Sequence, residues 1–568
     1  MESLVSGRRL VLIVILSLAA APYFMRLGAS SLWDSNEAFY AETPREMIES
    51  RDYTNPSFNY QPRFNKPPLS YWVVAAFYRI WGVSEAVERM AIALAACVLI
   101  ATAYGLGRLA FSQEAGLMAA IGLAASPRFL MFSRRIMIDV YLAMFMSLAL
   151  MLFMLAERHP KRRRIYLAAM YASIGLGVLT KGPIALLLPA IVFIIYLAVN
   201  RRLAEIREVM LPAGAAIIAL IVLPWYVAVY AQHGWGYIEA FILKDNLSRF
   251  AQQVWGPGRG PLFYLGVIAG DFFPLSLFFA AALWCEARDR LGWRRAITRS
   301  TPNDPASAAT GEVARSRHSV LLLIWIIVIV VFFSLSRSKE DLYILPIYPA
   351  AAAIAGKLLA RWVGGSQTAV GPARISAAIL ALVLLGGGAG VLYLFGRGVQ
   401  GFDLGGARAI GAIAIVGGLI AISAMAVRKN LVTVLASVSA VVVFNWIFVL
   451  WTLPDFERYK PVVALCEVAS SKPLDALVGY YRLASPSMVF YLRRPIFEYF
   501  APEEIKAAFS SGKDVYCVMT AADYDSLKHE LPAPTHVLAR RPAFQVKLKG
   551  ILDSTELPHV LLVSNKAE

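Results

Sequence analysis

WDSNEAFYAETPREMIESRDYTNPSFNYQPRFNKPPLSYW, residues 33–72, is the stretch from which the fold is read. Apolar segments flank it on both sides, yet it is dense in acids, Arg, Lys, Pro and aromatic residues. Asp34, Glu37, Glu42, Glu46, Glu49 and Asp52 share it with Arg45, Arg51, Arg63 and Lys66. The plain reading is a solvated loop with a few helix caps. Loops carry reactive side chains on rigid frames, so a loop this charged in a chain this apolar points to an active site at a membrane surface. Within it, residues 37–50 are expected to form a short amphipathic helix. Phe39, Tyr40, Met47 and Ile48 would make its apolar side, with the acids and Arg45 towards water. Pro67 and Pro68 open an aromatic run, 69–81, too short to cross a bilayer and expected to lie in the interface.

Outward from this loop the chain is hydrophobic. Of its 568 residues 58% are hydrophobic and only 16% charged, and its mean hydropathy is +0.59. Apolar runs recur along most of the length, which sets aside a soluble protein. Spans are expected at 10–24, 88–110, 116–132, 137–156, 165–179, 183–199, 210–231, 261–284, 319–336, 342–361, 374–395, 408–426 and 431–452, about thirteen in all. Arg8 and Arg9 precede the first, which is read as a retained helix and not a cleaved leader. The net charge of +17 is not a nucleic-acid footprint, because the basic clusters sit in short loops between spans. With the N-terminus inside, the clusters at 158–164, 200–208, 285–318 and 427–430 all fall inside, as the positive-inside rule requires. They can also meet anionic headgroups of membrane lipids.

From about Asp455 the apolar stretches shorten to strand length: 477–481, 488–492, 515–519, 536–539 and 559–563. Helices are expected at 502–510 and 522–530 between them. The fold class is therefore a polytopic α-helical membrane protein with a small C-terminal α/β domain. Residues 1–453 form the membrane part, with an outer loop at 29–86; residues 454–568 form the C-terminal domain, placed outside by the odd span count. Cys97, Cys285, Cys466 and Cys517 make no CxxC or Cys/His cluster; Cys466 and Cys517 could pair in an oxidising compartment.

Two groups carry candidate chemistry on the outer side. Asp34, Glu37 and Asp139 are acids at span ends, where the plain reading is a solvated cap. Arg63, Lys66, Arg134, Lys181, Arg249, Arg337 and Lys339 are cations placed outside against the topological trend, with Tyr343 close by. Singly each reads as a snorkelling anchor; together they suit a phosphate or pyrophosphate. Acids plus cations at a membrane surface fit transfer from a lipid-phosphate donor: a carboxylate takes the acceptor's proton and the cations hold the leaving phosphate. Such a donor needs no nucleotide-binding fold, and no Gly-rich phosphate loop is present.

The stretch 36–72 together with SRRIMID (133–139), LTKGPIALLLP (179–189), LPWY (223–226), KDNLSRF (244–250) and FSLSRSKEDLYILPIYPA (333–350) resembles the GT-C type of lipid-phosphate-dependent glycosyltransferases. That group includes the bacterial aminoarabinose transferase that modifies lipid A and, more distantly, protein O-mannosyltransferases. The resemblance implies an inverting transfer of a sugar from a polyprenyl (undecaprenyl) phosphate to a lipid A-like or other lipid, or to a protein, at the periplasmic face of the bacterial inner membrane. It matches Asp139 to the second acid, Lys66 to the loop Lys, and Lys339 to the late Lys beside Tyr343. The first acidic pair stands here as Asn36-Glu37, leaving Asp34 and Glu37 both open as base. Family metal-ligand positions are Asn65 and Asn246 here; neutral amides are poor ligands for zinc, so no cofactor is expected, with a divalent metal left open as the alternative. A lipid-linked sugar flippase would place its charges and broken helices at mid-membrane in paired halves. A non-catalytic membrane scaffold would leave the acid-rich loop without a purpose.

Overall fold

The computed structural model describes residues 2–251, 258–297, 311–396, 404–531, 534–543 and 557–567. The inner basic cluster expected at 285–318 lies partly outside the described residues. Apolar sequence becomes helix through most of the first 450 positions. Helix α1 is Glu2–Ala20, α2 Asn36–Ser50, α3 Leu69–Trp81, α4 Glu85–Ala110, α5 Gln113–Ala125 and α6 Pro127–Phe132. Then come α7 Ile138–Arg158, α8 Arg163–Lys181, α9 Ile184–Val199, α10 Leu211–His233, α11 Phe263–Asp271 and α12 Leu275–Ile297. The last of the membrane part are α13 Gly311–Leu335, α14 Tyr348–Val363, α15 Gln367–Gly396, α16 Ala407–Ala426 and α17 Asn430–Ile447. Local signals start two of them: Ser84 caps α4 by accepting from Val87 N, and Ser112 caps α5 by accepting from Ala115 N.

Eight helices among the described residues are long and apolar enough to cross a bilayer, and a ninth crossing is available if α11 and α12, bent by 118°, count as one. The protein is a multi-pass membrane protein. The other expected spans, at 10–24, 116–132, 165–179 and 183–199, are helical but shorter, interrupted or charged at their ends; Pro127 divides the second into α5 and α6. The α11–α12 bend carries Asp271, which pairs with Arg128 at 3.3 Å.

Close helix approach is built on small residues. Helix α14 presents four successive alanines, Ala350–Ala353, all buried, and Gly356 against α5. A Cβ on Gly356 would lie 2.3 Å from the Ala115 carbonyl oxygen and 2.9 Å from Ala119 N, so the two backbones nearly touch.

The C-terminal part is a five-stranded sheet of β3 Leu477–Tyr481, β4 Phe497–Tyr499, β5 Val515–Thr520, β6 His536–Pro542 and β7 His559–Ser564, in the order β4-β3-β5-β7-β6. Strand β3 runs parallel to β4 and β5, and β7 antiparallel to β5 and β6. Helices α18 Pro461–Ser470, α19 Ser487–Leu492, α20 Pro502–Phe509 and α21 Ala521–Leu527 pack with it. The run 488–492, expected as a strand, is helical: a five-residue apolar run cannot distinguish the two periods, and here it lies against α2. All four cysteines are free; Cys466 and Cys517 are buried and unpaired.

The outer loop is folded and not merely solvated. Between α2 and α3 it makes a small hairpin of β1 Ser57–Phe58 and β2 Gln61–Pro62. Helix α2 and the 69–81 helix form at the expected places, but the orientation of α2 differs from expectation. Glu37, Glu42, Arg45 and Glu46 are buried, because α2 is enclosed by α3 and by α19. Their charges are matched internally: Arg45 forks onto Glu42 at 2.6 and 2.8 Å and reaches Glu49 at 2.7 Å. Glu46 accepts from Ser57 Oγ at 2.5 Å and Tyr60 N at 3.1 Å.

Candidate active site

A cavity of about 160 Å³ opens where the start of α2, the end of the outer loop, the start of α7, the end of α8 and the segment after α13 converge. Asn36, Tyr40, Arg63, Asn65, Lys66, Asp139, Lys181, Glu340 and Tyr343 supply its functional groups, with Met137, Ile138 and Leu342 as apolar lining. Three cations and two acids thus share one cleft.

Each side chain has a local cause for its place. Asp139 is in the first turn of α7, where a carboxylate suits the helix dipole. Lys181 ends α8, and Gly182 follows at φ +92°, a conformation that lets the chain leave the helix sharply. A Cβ there would meet the Phe241 ring at 2.6 Å. Lys181 Nζ pairs with Asp139 Oδ1 and stands 4.7 Å from the centre of the Tyr343 ring. The Arg63 guanidinium lies 3.8 Å from the centre of the Phe39 ring, and its buried Nε has no hydrogen-bond partner.

Of the three expected acids, Asp139 alone lines the cavity. Asp34 is turned to the C-terminal domain: its oxygens accept from Ser487 N and Ser487 Oγ, each at 2.8 Å. Glu37 is 1% exposed and held by Arg89, Nε to Oε1 at 2.8 Å and Nη2 to Oε2 at 3.0 Å, while accepting from Trp33 N at 2.7 Å. Burial works against its charge, but Arg89 and the Trp33 bond outweigh it and keep the carboxyl below its usual range. Glu42 behaves oppositely. Burial pushes it up to about 7 despite Arg45, with Glu46 beside it adding to the rise. Neither Glu37 nor Asp34 is part of the cavity lining.

The cations divide likewise. Arg63, Lys66 and Lys181 line the cavity, as does Tyr343. Arg134 is turned away and consumed by backbone oxygens, those of Pro22 at 2.5 Å and Met25 at 2.7 Å. Lys339 is 8% exposed and donates to Ser336 O at 2.5 Å, so its ammonium ties its own loop. Arg337 is exposed and not part of the lining. The side chains of Asn246 and Arg249 lie outside the described residues.

Sequence reasoning passed over Tyr40 and Glu340 as site members. Glu340 lies inside the quoted run FSLSRSKEDLYILPIYPA, between Lys339 and Asp341. Its nearest cation among the described ion pairs, Arg259, is 3.7 Å away and already donates to Lys339 O at 2.6 Å. Asn65 lines the cavity between Arg63 and Lys66, and a neutral amide among cations is a poor ligand for zinc. Among the described residues no three His, Cys, Asp or Glu side chains converge on one point.

The comparisons with known proteins agree in direction. The family described as "Dolichyl-phosphate-mannose-protein mannosyltransferase" matches residues 65–227. An uncharacterized protein of Aquifex aeolicus (strain VF5) is 31% identical over 353 residues, 62% of this chain and 63% of its own length. The undecaprenyl phosphate-alpha-4-amino-4-deoxy-L-arabinose arabinosyl transferase of Pseudomonas aeruginosa (strain LESB58) is 28% identical over 377 residues, 64% of this chain and 63% of its own. The match therefore spans less than two thirds of these relatives. The crystal structure of ArnT from Cupriavidus metallidurans bound to undecaprenyl phosphate superposes with a TM-score of 0.74 at 23% identity, covering 98% of both chains. The archaeal oligosaccharyltransferase AglB from Archaeoglobus fulgidus does so at 0.51 and 14%, covering 90% of this chain and 69% of its own. The likeness to GT-C enzymes read from motifs in residues 36–350 thus extends to the fold of nearly the whole chain.

Proposed function

We propose that this chain, with its GT-C fold, is a membrane glycosyltransferase that moves a sugar from a polyprenyl-phosphate donor to a lipid acceptor of the lipid A kind at the outer face of a bacterial inner membrane. One observation carries the reading: a single cleft gathers Asp139 with Arg63, Lys66, Lys181 and Tyr343. The P. aeruginosa relative is named for an undecaprenyl-phosphate donor, and ArnT is solved with undecaprenyl phosphate, which supports the donor class.

The donor phosphate is held by Lys66, Lys181 and Arg63. Lys181 neutralises Asp139 across the cleft. An arriving phosphate competes for that ammonium and leaves the Asp139 carboxylate able to accept a proton. The acceptor oxygen then attacks the anomeric carbon on the face opposite the phosphate. The bond from that carbon to the phosphate oxygen breaks, its electron pair stays on the phosphate, and the acceptor's proton passes to Asp139. The products are polyprenyl phosphate and the glycosylated acceptor, with inverted configuration. The cations act on charge that grows as the bond breaks, which is where fixed positive groups lower a barrier most.

The test uses purified protein in lipid with a panel of undecaprenyl-phosphate sugars and lipid acceptors, reading free undecaprenyl phosphate. Acceptor-dependent release that falls at least about a hundredfold in Asp139→Asn, with donor binding retained, is expected for loss of a general base. Release that is unchanged in Asp139→Asn removes that residue from the role. Movement of donor across the bilayer without release would replace transfer by flipping.

A further inference from the structure

The cleft is lined by the membrane part and its outer loop, but the layer behind its wall is not theirs alone. Phe490, from α19 of the C-terminal domain, is 7% exposed and packs in the same apolar cluster as Tyr40, Tyr71, Ile136 and Ile138. Tyr40 and Ile138 line the cleft, and Ile138 immediately precedes Asp139. Helix α19 works on two fronts: Met488 and Val489 are fully buried in the core of the C-terminal sheet, while Phe490 enters the outer-loop cluster.

Polar contacts fix this seating on both sides. Ser487, opening α19, donates twice to Asp34, two residues before Asn36. The Tyr491 hydroxyl accepts from Leu32 N at 2.7 Å and donates to Glu85 at 3.0 Å, joining the outer loop to α4. Just past α19, Asn59 exchanges two bonds of 2.9 Å with the Ile496 backbone. The hairpin residue Phe58 is itself buried in the C-terminal core.

We infer that α19 is a positioning element of the transfer site: Phe490 sets the wall made by Tyr40 and Ile138, and through it the C-terminal domain governs the alignment of Asp139 without touching substrate. Protein interiors are close-packed, so a missing ring behind the wall is felt in front of it. The inference rests on the cleft being the transfer site.

The experiment takes full-length protein in lipid nanodiscs and reads hydrogen exchange by mass spectrometry beside transfer kinetics. Phe490→Ala is expected to lower kcat about ten- to a hundredfold, the scale of a small misplacement, with donor KM within about twofold. Exchange across residues 36–48 and 134–139 rises in the same variant, while Phe490→Leu restores both readouts. Unchanged exchange at 36–48 in Phe490→Ala, whatever the kinetics, overturns the inference. Should Phe490→Ala also open strand β5, Tyr491→Phe decides, because it keeps the ring and loses only the hydroxyl. Faster exchange at 32–42 in that variant supports the inference and unchanged exchange overturns it. If the wild-type protein releases no undecaprenyl phosphate from any donor, the transferase reading fails, and the exchange comparison still decides whether α19 orders the cleft.

Discussion

Arg89 donates from all three guanidinium nitrogens to the outer loop and the turn just before it, to Glu37 and to the carbonyls of Leu27, Ser30 and Ser31. It is 2% exposed, so its removal strands the Glu37 charge away from water. Arg89→Ala is expected to destabilise by about 3–5 kcal/mol, the cost of breaking a buried pair from one side. A large fall in unfolding temperature in detergent would show it, whereas Asp139→Asn should unfold near the wild-type temperature and yet be inactive. Glu42 gives a pH signature. Its carboxyl is raised from 4.5 to about 7, so the folded protein holds that proton more tightly than the unfolded chain. Its stabilising share is complete below the lower value and is lost as pH climbs to the upper one. The unfolding midpoint of the wild type should therefore drop across that window, and Glu42→Gln should flatten the drop; a parallel slope in both proteins would contradict it. These roles were beyond the sequence for a physical reason. Asp139, Lys66 and Lys181 were legible as charges at the ends of apolar runs. Glu37 looked equally reactive until a partner 52 positions away neutralised it, and local amphipathicity turned Glu42 and Arg45 towards water because it knows nothing of α19.

At the level of elements, long apolar runs announce helices well, since length and composition suffice for them. The break at Pro127 and the sharp α11–α12 bend are less visible, because only a few polar residues, Ser126 and Arg128 at one and Asp271 at the other, interrupt long apolar runs. Residues 488–492 show the limit most clearly: their apolar character was read correctly and their period was not, the choice being made by the surfaces they meet. Packing between elements is more exacting than their existence. Gly356 allows α14 to ride on the backbone of α5, so Gly356→Ala, conservative by volume, must push the helices apart. A loss of about 1–3 kcal/mol is expected from such overpacking, visible as a lower unfolding temperature. An unshifted midpoint would mean that the crossing has slack.

Across the whole molecule, the positive-inside reading of the sequence expects the C-terminal domain outside. Leu474 is 88% exposed there and serves as a reporter. Leu474→Cys should react with a membrane-impermeant maleimide on intact cells, above a wild-type background kept low by the burial of Cys285, Cys466 and Cys517. Reaction only after lysis would put the domain inside and demand an even number of crossings. The seating of α19 on the outer loop also has a consequence in time. Asp34 and Ser487 are separated by 453 positions, so the loop is made early and its supporting helix near the end. A nascent chain that has already threaded its helices through the bilayer holds the acid and the cations without the ring that backs them. If α19 orders the cleft as inferred above, the pocket is complete only when the last fifth of the polypeptide has folded, after translation has passed residue 490.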